Sequence, residues 1–138
     1  MLDQLKILII AAHPDDETLG CGGSIAKWSK NGHEVHVLIM AEGATSRDKS
    51  RDRGTRQKEL SHLARSAKKA GEILGVASVE LLDYPDNRMD SVDLLDVVKS
   101  VEEHIDKNKP DVVITHHAGD LNIDHQIIHH AVITACRP

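Results

Sequence analysis

Apolar runs alternate along the chain with segments of helical periodicity. The apolar runs lie at residues 7–12, 35–41, 79–82 and 112–115. Such runs are typical of strands that are buried on both faces of a parallel sheet. Helical patterns follow them, at residues 18–30, 56–74 and 92–106 and from Asp124 onward. The alternation predicts an α/β fold in which right-handed crossovers place helices on both faces of a mostly parallel sheet.

Length and composition narrow the class of protein. The 138 residues fit one domain, which we expect to span residues 1–138 with a truncated C-terminus, because the chain stops directly after the fourth helical pattern. A net charge of −5, one Trp, one Tyr and no Phe do not fit a nucleic-acid partner. No apolar run is long enough for a membrane span and no export leader is evident, so we expect a cytoplasmic protein without a membrane partner. Two cysteines indicate neither a disulfide framework nor a thiolate zinc site.

Ligands of a parallel sheet bind beyond the carboxyl ends of its strands. The loops at that edge are predicted at residues 13–23, 42–54, 83–90 and 116–124. They contain most of the polar residues that could take part in catalysis or ligand binding. The segment 46–58 is dense in Arg, Lys and Asp, and is either a solvated loop with a helix start or a lid that faces the substrate.

The first of these loops begins with Ala-His-Pro-Asp-Asp-Glu, residues 12–17. His13 and Asp16 are three residues apart across a tight turn, so both can point at one metal ion, and Asp15 can face the substrate as a base. Carboxylates at this place also gain from the positive end of a helix dipole. The alternative interpretation is therefore a plain cluster at a helix N-terminus.

Three residues after this motif, the sequence Gly-Cys-Gly-Gly at 20–23 has some likeness to a dinucleotide fingerprint. The fingerprint needs a third glycine where this chain has Ile25, and the acidic residues before it would repel a pyrophosphate. We therefore exclude a nucleotide site. The glycines are expected to let the first helix lie close to the sheet or to the metal loop.

A second cluster follows the fourth strand, at residues 116–125, and contains three histidines and two aspartates. His125 can complete a His-Asp-His set with His13 and Asp16 that leaves one position open for water, as catalytic zinc sites do. His129 is the reserve ligand, since it lies on the same helical face as His125. Asp124 is either the residue that orients a histidine ligand from behind or a simple N-cap.

Taken together, the two motifs resemble those of the PIG-L/LmbE-like metal-dependent N-deacetylases, over residues 13–125. The resemblance implies a Rossmann-like three-layer sandwich, zinc ligands His13, Asp16 and His125, and Asp15 as the general base. It also implies hydrolysis of a linear amide, namely the acetamido group of an N-acetylglucosamine-type sugar or conjugate. Two histidines and one carboxylate suit Fe²⁺ equally, so the choice of zinc rests on the resemblance.

The chain departs from the family pattern at one catalytic position. Many members have a histidine three residues before the last ligand, thought to help stabilise the oxyanion, where this chain has Asn122. Either Asn122 does a weaker form of that task, or His116 or His117 replaces the missing histidine. Family chains are also usually longer than this one.

Three residues at the same edge are candidates for substrate binding: Arg47, Asn87 and Arg88. Their side chains can hold sugar hydroxyls or an attached anionic group. A homo-oligomer is also compatible with the sequence. The competing hypothesis is a module without catalysis, either a metal-binding remnant of the deacetylase fold or a receiver-like phospho-acceptor with Asp83 after the third strand. Histidine ligands do not suit the all-oxygen Mg²⁺ site of a receiver.

Overall fold

The computed structural model of the chain describes residues 4–138. Its strands are β1 (Lys6–Ala11), β2 (Glu34–Ala41), β3 (Ser78–Tyr84) and β4 (Val112–Ile114). Its α-helices are α1 (Asp16–Lys30), α2 (Gln57–Leu74), α3 (Leu94–Asn108) and α4 (Ile123–Ala135). Two 3₁₀ turns lie at Thr45–Arg47 and Met89–Ser91. Every predicted strand and helix is confirmed, with ends that differ by no more than two residues.

The four strands form one parallel sheet in the order β3-β2-β1-β4. β1 is central, and Ile7 pairs with Val35 of β2 on one side and with Val112 of β4 on the other. This is the strand order of the Rossmann fold, whereas a receiver has the flavodoxin-like order with β1 between β2 and β3. The observed order therefore argues against the receiver-like alternative.

Helices cover both faces of the sheet, which gives three layers. Leu8 and Ile10 of β1 are buried in a core that includes side chains of α3 and α4, and the alternate residues Ile7 and Ile9 are buried in a second core with α1 and α2. Each such aliphatic side chain contributes about 1.5–3 kcal/mol by leaving water. Among residues 4–138, no helix combines the length and apolar character that crossing a membrane requires.

The glycine cluster of α1 does not serve the close packing that we expected of it. A Cβ atom added to Gly20 or Gly23 would meet no heavy atom within 4 Å. The glycines, which are weak helix formers, instead lie next to a kink in α1 at Cys21, where φ is −146°. Gly20 and Cys21 line an open cavity of about 320 Å³ between α1 and the end of β4.

The sheet places the two motifs at one point. The chain leaves β1 towards β2 on one side, and β4 lies on the other side of β1, so a crevice opens between the carboxyl ends of β1 and β4. Such switch points are where open α/β sheets bind ligands. The backbone N–H of Ala12, directly after β1, donates to the His116 Nε2 atom, two residues after β4, over 2.8 Å. The loops after these two strands are thus in direct contact.

Candidate metal centre

His13, Asp16 and His125 converge in the crevice between β1 and β4. One ligand atom from each residue can be chosen so that all three atoms lie within 4.8 Å of one another. Asp16 Oδ2 is 3.3 Å from His13 Nδ1 and 3.0 Å from His125 Nε2. Ligands that sit about 2.0–2.2 Å from a zinc ion in tetrahedral geometry are separated by similar distances. The three side chains can therefore hold one divalent metal ion.

The Nε2 atom of His125 supports this interpretation independently. It is one of three buried side-chain atoms without a hydrogen-bond partner among the residues that the structure describes. The other ring nitrogen, Nδ1, donates to Asp120 Oδ2 over 2.9 Å, which leaves the Nε2 lone pair free. An unsatisfied buried polar atom costs about 1–3 kcal/mol. A metal ion at this point would satisfy Nε2 and the nearby Asp16 oxygen together.

His13 is held from behind by a fully buried carboxylate. Its Nε2 donates to Asp124 Oδ2 over 2.9 Å, so Nδ1, on the side of Asp16, is the ring nitrogen that can bind a metal ion once its proton is displaced. Asp124 is itself fixed by the backbone N–H groups of Asn87 and Met89, at 2.7 and 3.0 Å. The histidine that Asp124 contacts is thus His13 rather than its neighbour in sequence. The alternative that Asp124 is a helix cap is wrong, because Asn122 occupies the N-cap of α4.

The charges of these groups are strongly coupled. Burial by itself would lower the pKa of His13, but the hydrogen bonds and negative charges of Asp124 and Asp16 raise it to about 10. Burial would likewise raise the pKa of Asp16, but its hydrogen bonds with His13 and the nearby His125 bring that pKa below its usual value. At neutral pH the metal-free centre therefore holds a proton between His13 and the carboxylates, which a metal ion would displace.

Asp15 stands beside the three converging residues in an unusual backbone conformation. Its φ is +143°, a region that non-glycine residues rarely adopt and that costs on the order of 1–3 kcal/mol. Partial burial and the neighbouring Asp16 carboxylate raise the pKa of Asp15. Asp15 and His13 line one cavity of about 250 Å³. Backbone strain and a raised carboxyl pKa next to a candidate metal site are features of a general base.

Two of the three candidate substrate residues line the same cavity. Arg47 and Asn87 face it together with Asp15. Arg88 does not line that cavity, and its guanidinium donates to the backbone carbonyls of Asp48 and Lys49 over 3.1 and 3.2 Å. Arg88 thus fastens the loop that carries Arg47 instead of facing the cavity.

The candidates for oxyanion stabilisation lie in three different environments. Asn122 caps α4 through Oδ1, which accepts from the backbone N–H groups of Asp124 and His125, while its Nδ2 donates to Asn87 Oδ1. His117 is exposed, accepts from the backbone N–H of Gly119, and lines the cavity beside α1, not the one beside Asp15.

His116 is the histidine in closest contact with the ligand group. Its ring stacks on that of His125, with centroids 3.8 Å apart and planes 17° from parallel. Burial, followed by the charge of His125, lowers the pKa of His116 to about 4. Its Nε2 atom accepts the Ala12 N–H, so His116 is a neutral ring that supports His125. The reserve ligand His129 contacts the His116 carbonyl through Nδ1 at 2.8 Å and is absent from the groups that could hold an ion.

Comparison with known proteins identifies the family to which this chain belongs. The sequence profile of the family described as PIG-L, GlcNAc-PI de-N-acetylase, matches residues 8–136. The chain belongs to the PIG-L family. An uncharacterized deacetylase of Escherichia coli, YaiS, is 32% identical over 136 residues, which are 95% of this chain and 68% of that protein.

Solved structures of two enzymes share the PIG-L fold of this chain. N,N'-diacetylchitobiose deacetylase from Pyrococcus horikoshii has a TM-score of 0.82 at 26% identity, covering 96% of this chain and 49% of its own. The 4-carboxy-2-hydroxymuconate hydratase GalB from Pseudomonas putida has a TM-score of 0.79 at 26% identity, covering 96% of this chain and 55% of its own. The chain thus spans about half the length of these two enzymes.

Two carboxylates of this PIG-L centre were missed by the sequence reasoning. Asp120 accepts from His125 Nδ1, and Asp86 Oδ1 lies 3.4 Å from His13 Nε2. Hydrogen bonds from the Asn122 backbone N–H and from His125 lower the pKa of Asp120 to about 2. Both residues lie in loops that the sequence predicts at the carboxyl edge of the sheet. This position was the only signal in the sequence that could have indicated them.

The basic segment of the PIG-L chain, residues 46–58, is anchored by a buried glutamate that the sequence reasoning also missed. Glu42, at the end of β2, is contacted by Arg51 Nε and by Arg53 Nε, each at 2.8 Å. Burial would raise the pKa of Glu42, but the hydrogen bond from Arg51 and the nearby positive charges lower it. The segment is therefore tied to the end of β2 by two ion pairs, while most of its residues are exposed and its last residues begin α2.

Proposed function

We propose that the chain is the catalytic core of a zinc-dependent hydrolase that removes the N-acetyl group from an N-acetylglucosamine-type sugar or conjugate. The observation that carries the proposal is the convergence of His13, Asp16 and the orphaned Nε2 of His125 beside the strained Asp15. Membership of the PIG-L family and the likeness to a diacetylchitobiose deacetylase support the reaction class.

The choice of zinc rests on the donor set. Two imidazoles and one carboxylate with an open fourth position are typical of catalytic zinc sites. The same set suits Fe²⁺, so the metal is assigned by activity after reconstitution with each ion. When bound, the ion would act as a Lewis acid that polarises the amide carbonyl and lowers the pKa of water, so that water can lose a proton and attack near neutral pH.

The residues of the chain divide the remaining work. Asp15 accepts a proton from the attacking water and returns it to the departing amine. The water thereby becomes a nucleophile, and the amine leaves as a neutral group. His13 and His125 keep their coordinating nitrogens turned inward because Asp124 and Asp120 hold the opposite ring nitrogens. Asn122 and His117 remain candidates for contact with the oxyanion, and neither is placed beside Asp15.

The cavity beside Asp15 supports a sugar as the substrate. Arg47, Asn87 and Ser46 line it and offer donors and acceptors suited to sugar hydroxyls. Asn87 is itself held in a left-handed conformation, with φ at +51°. Its backbone N–H donates to Asp124, so the substrate cavity and the support of His13 are joined through one residue.

The direct experiment measures acetate release from N,N'-diacetylchitobiose by the purified chain. We expect release with zinc, loss of release after chelation, and recovery when zinc is restored. Parallel reconstitution with Fe²⁺ under anaerobic conditions assigns the metal. Folded chain that binds one equivalent of metal yet releases no acetate from this sugar or from N-acetylglucosamine contradicts the proposed reaction.

A further inference from the structure

Glu17 is a buried carboxylate that the proposed reaction does not use. It is 5% exposed, and it forms no ion pair among residues 4–138. A buried charge without a cationic partner is costly, so such a group is expected to make specific hydrogen bonds. The acceptor atoms of Glu17 make two. Oε1 accepts from the Thr18 hydroxyl over 3.0 Å, and Oε2 accepts from the backbone N–H of Asp15 over 3.1 Å.

The second hydrogen bond lies at an irregular helix start. Asp15 is the N-cap residue of α1, yet its side chain makes no capping hydrogen bond. In an ordinary capping box the N-cap side chain accepts from a first-turn N–H, while an acidic side chain of that turn reaches back to the N-cap N–H. Glu17 makes the second of these contacts, and Asp15 does not make the first. Half of the capping arrangement is therefore present.

The missing half bears on the chemistry of Asp15. A carboxylate that caps a helix is held against the backbone N–H groups of the first turn, so it cannot at the same time face a neighbouring cavity. The Asp15 side chain is free of such bonds and lines the cavity that also contains His13. Its φ of +143° turns it away from the usual N-cap conformation.

We propose that Glu17 is a positioning residue for Asp15. Its carboxylate holds the Asp15 N–H, keeps the backbone at positive φ, and so withholds the Asp15 side chain from capping α1. The inference rests on the proposed role of Asp15 as the general base, and adds that Glu17 acts only through Asp15. Glu17 itself exchanges no proton with substrate.

Two substitutions of Glu17 separate positioning from proton transfer. Glu17→Gln retains an oxygen that can accept the Asp15 N–H, so its kcat should stay within about threefold of the parent value. Glu17→Ala removes the acceptor and should lower kcat by about 10- to 100-fold, the scale of a misplaced catalytic group. KM and zinc content should be unchanged. Equal losses in both variants would overturn the proposal and indicate that Glu17 transfers a proton.

A double-mutant cycle with Asp15→Asn tests the route of the effect. If Glu17 acts through Asp15, Glu17→Ala should cause no further loss of residual activity once Asp15 is replaced, because coupled residues are not additive. Glu42→Ala is the matched control, since Glu42 is the buried glutamate that anchors Arg51 and Arg53, and its effect should be the same in both backgrounds. An additive loss for Glu17→Ala contradicts the proposal.

A readout independent of catalysis completes the experiment. A crystal structure of Glu17→Ala should show Asp15 at negative φ with its carboxylate accepting a first-turn N–H of α1, and that of Glu17→Gln should show the parent conformation. Asp15 at positive φ in Glu17→Ala would overturn the inference. If the parent chain releases no acetate, the proposed function fails, and the backbone change in the crystal still decides whether Glu17 sets the conformation of Asp15.

Discussion

Histidines pair with carboxylates at both ends of the sheet, with different outcomes. At the amino end, His36 of β2 contacts Ser78 Oγ through Nδ1 at 2.7 Å and Glu34 Oε1 through Nε2 at 2.9 Å. At the carboxyl end, His125 contacts Asp120 through Nδ1, while Nε2 has no hydrogen-bond partner among residues 4–138. The first histidine is satisfied within the protein and the second is not.

The supporting carboxylates do not explain the difference, because the side chains of Glu34 and Asp120 are similarly exposed, at 37% and 35%. What differs is the second ring nitrogen: in His36 it meets the Ser78 hydroxyl, whereas His125 Nε2 lies 3.0 Å from Asp16 Oδ2, which is also close to His13. A histidine beside a carboxylate is therefore weak evidence for a metal site. Convergence of several buried groups on one unsatisfied nitrogen is much stronger.

The largest expected effect separates these two histidines. His125→Ala should abolish binding of one equivalent of zinc, and His36→Ala should leave zinc stoichiometry and affinity unchanged. Metal analysis after gel filtration, with competition by a chelator, measures both. Full zinc affinity in His125→Ala would remove this residue from the ligand set and favour the group of His13, Asp86 and Asp124 instead.

Asp15→Asn should give the next largest effect. An amide cannot accept a proton from the attacking water, so kcat should fall by about 10²- to 10⁴-fold. Zinc content should remain at the parent level because Asp15 is not one of the three converging ligands. Steady-state kinetics with metal analysis of the same sample test this, and a variant that purifies without zinc would make Asp15 a ligand.

Asp120→Asn probes the carboxylate behind His125. Loss of a supporting carboxylate typically costs about 10- to 100-fold in metal affinity or activity, and we expect that range here for zinc affinity. Glu34→Gln makes the equivalent change behind His36 and should leave zinc affinity unaltered. Similar zinc affinities in the two variants would show that Asp120 does not support the metal centre.

The metal-free protein should lose stability at alkaline pH because of His13. The folded-state pKa of about 10 exceeds the unfolded value of 6.5, so the stabilisation is complete below pH 6.5 and is lost as the pH rises towards 10. A shift of this size corresponds to a few kcal/mol at most, with roughly 1.4 kcal/mol for each pH unit. Urea unfolding after chelation should show this slope in the parent chain and not in His13→Gln. Parallel slopes would contradict the assignment.

The smallest expected effects distinguish two arginines. Arg47→Ala should raise KM by about 2- to 10-fold with kcat unchanged, the scale of one hydrogen bond to a sugar hydroxyl. Arg88→Ala should lower the thermal stability of the chain more than it raises KM, because Arg88 holds the carbonyls of Asp48 and Lys49. A larger KM effect for Arg88 would restore it as a substrate contact.

The sequence predicted the fold and the meeting point of the motifs for simple physical reasons. Buried parallel strands are continuous apolar runs, and the carboxyl ends of β1 and β4 lie at one edge, so His13 and His125 had to approach each other. Of the partners behind them, Asp124 was one of two predicted alternatives, but the histidine that it contacts was not predicted, and Asp120 was missed. The contact between His13 and Asp124 spans 111 residues and depends on the direction of both side chains.

Local spacing was also a poor guide to side-chain direction in the loops. Arg88 follows the cavity residue Asn87 directly, yet it turns to the neighbouring loop. His117 follows His116 directly, yet only His116 stacks on His125. Hydrogen bonds with distant backbone atoms decide these directions, and a single sequence does not contain that information.

The most direct test of the metal centre is a crystal structure of the zinc-loaded chain with data collected on both sides of the zinc absorption edge. We expect one anomalous peak about 2.0–2.2 Å from His13 Nδ1, Asp16 Oδ2 and His125 Nε2. A peak on the other side of the His13 ring, between Asp86 and Asp124, or no peak at full zinc loading, would contradict it.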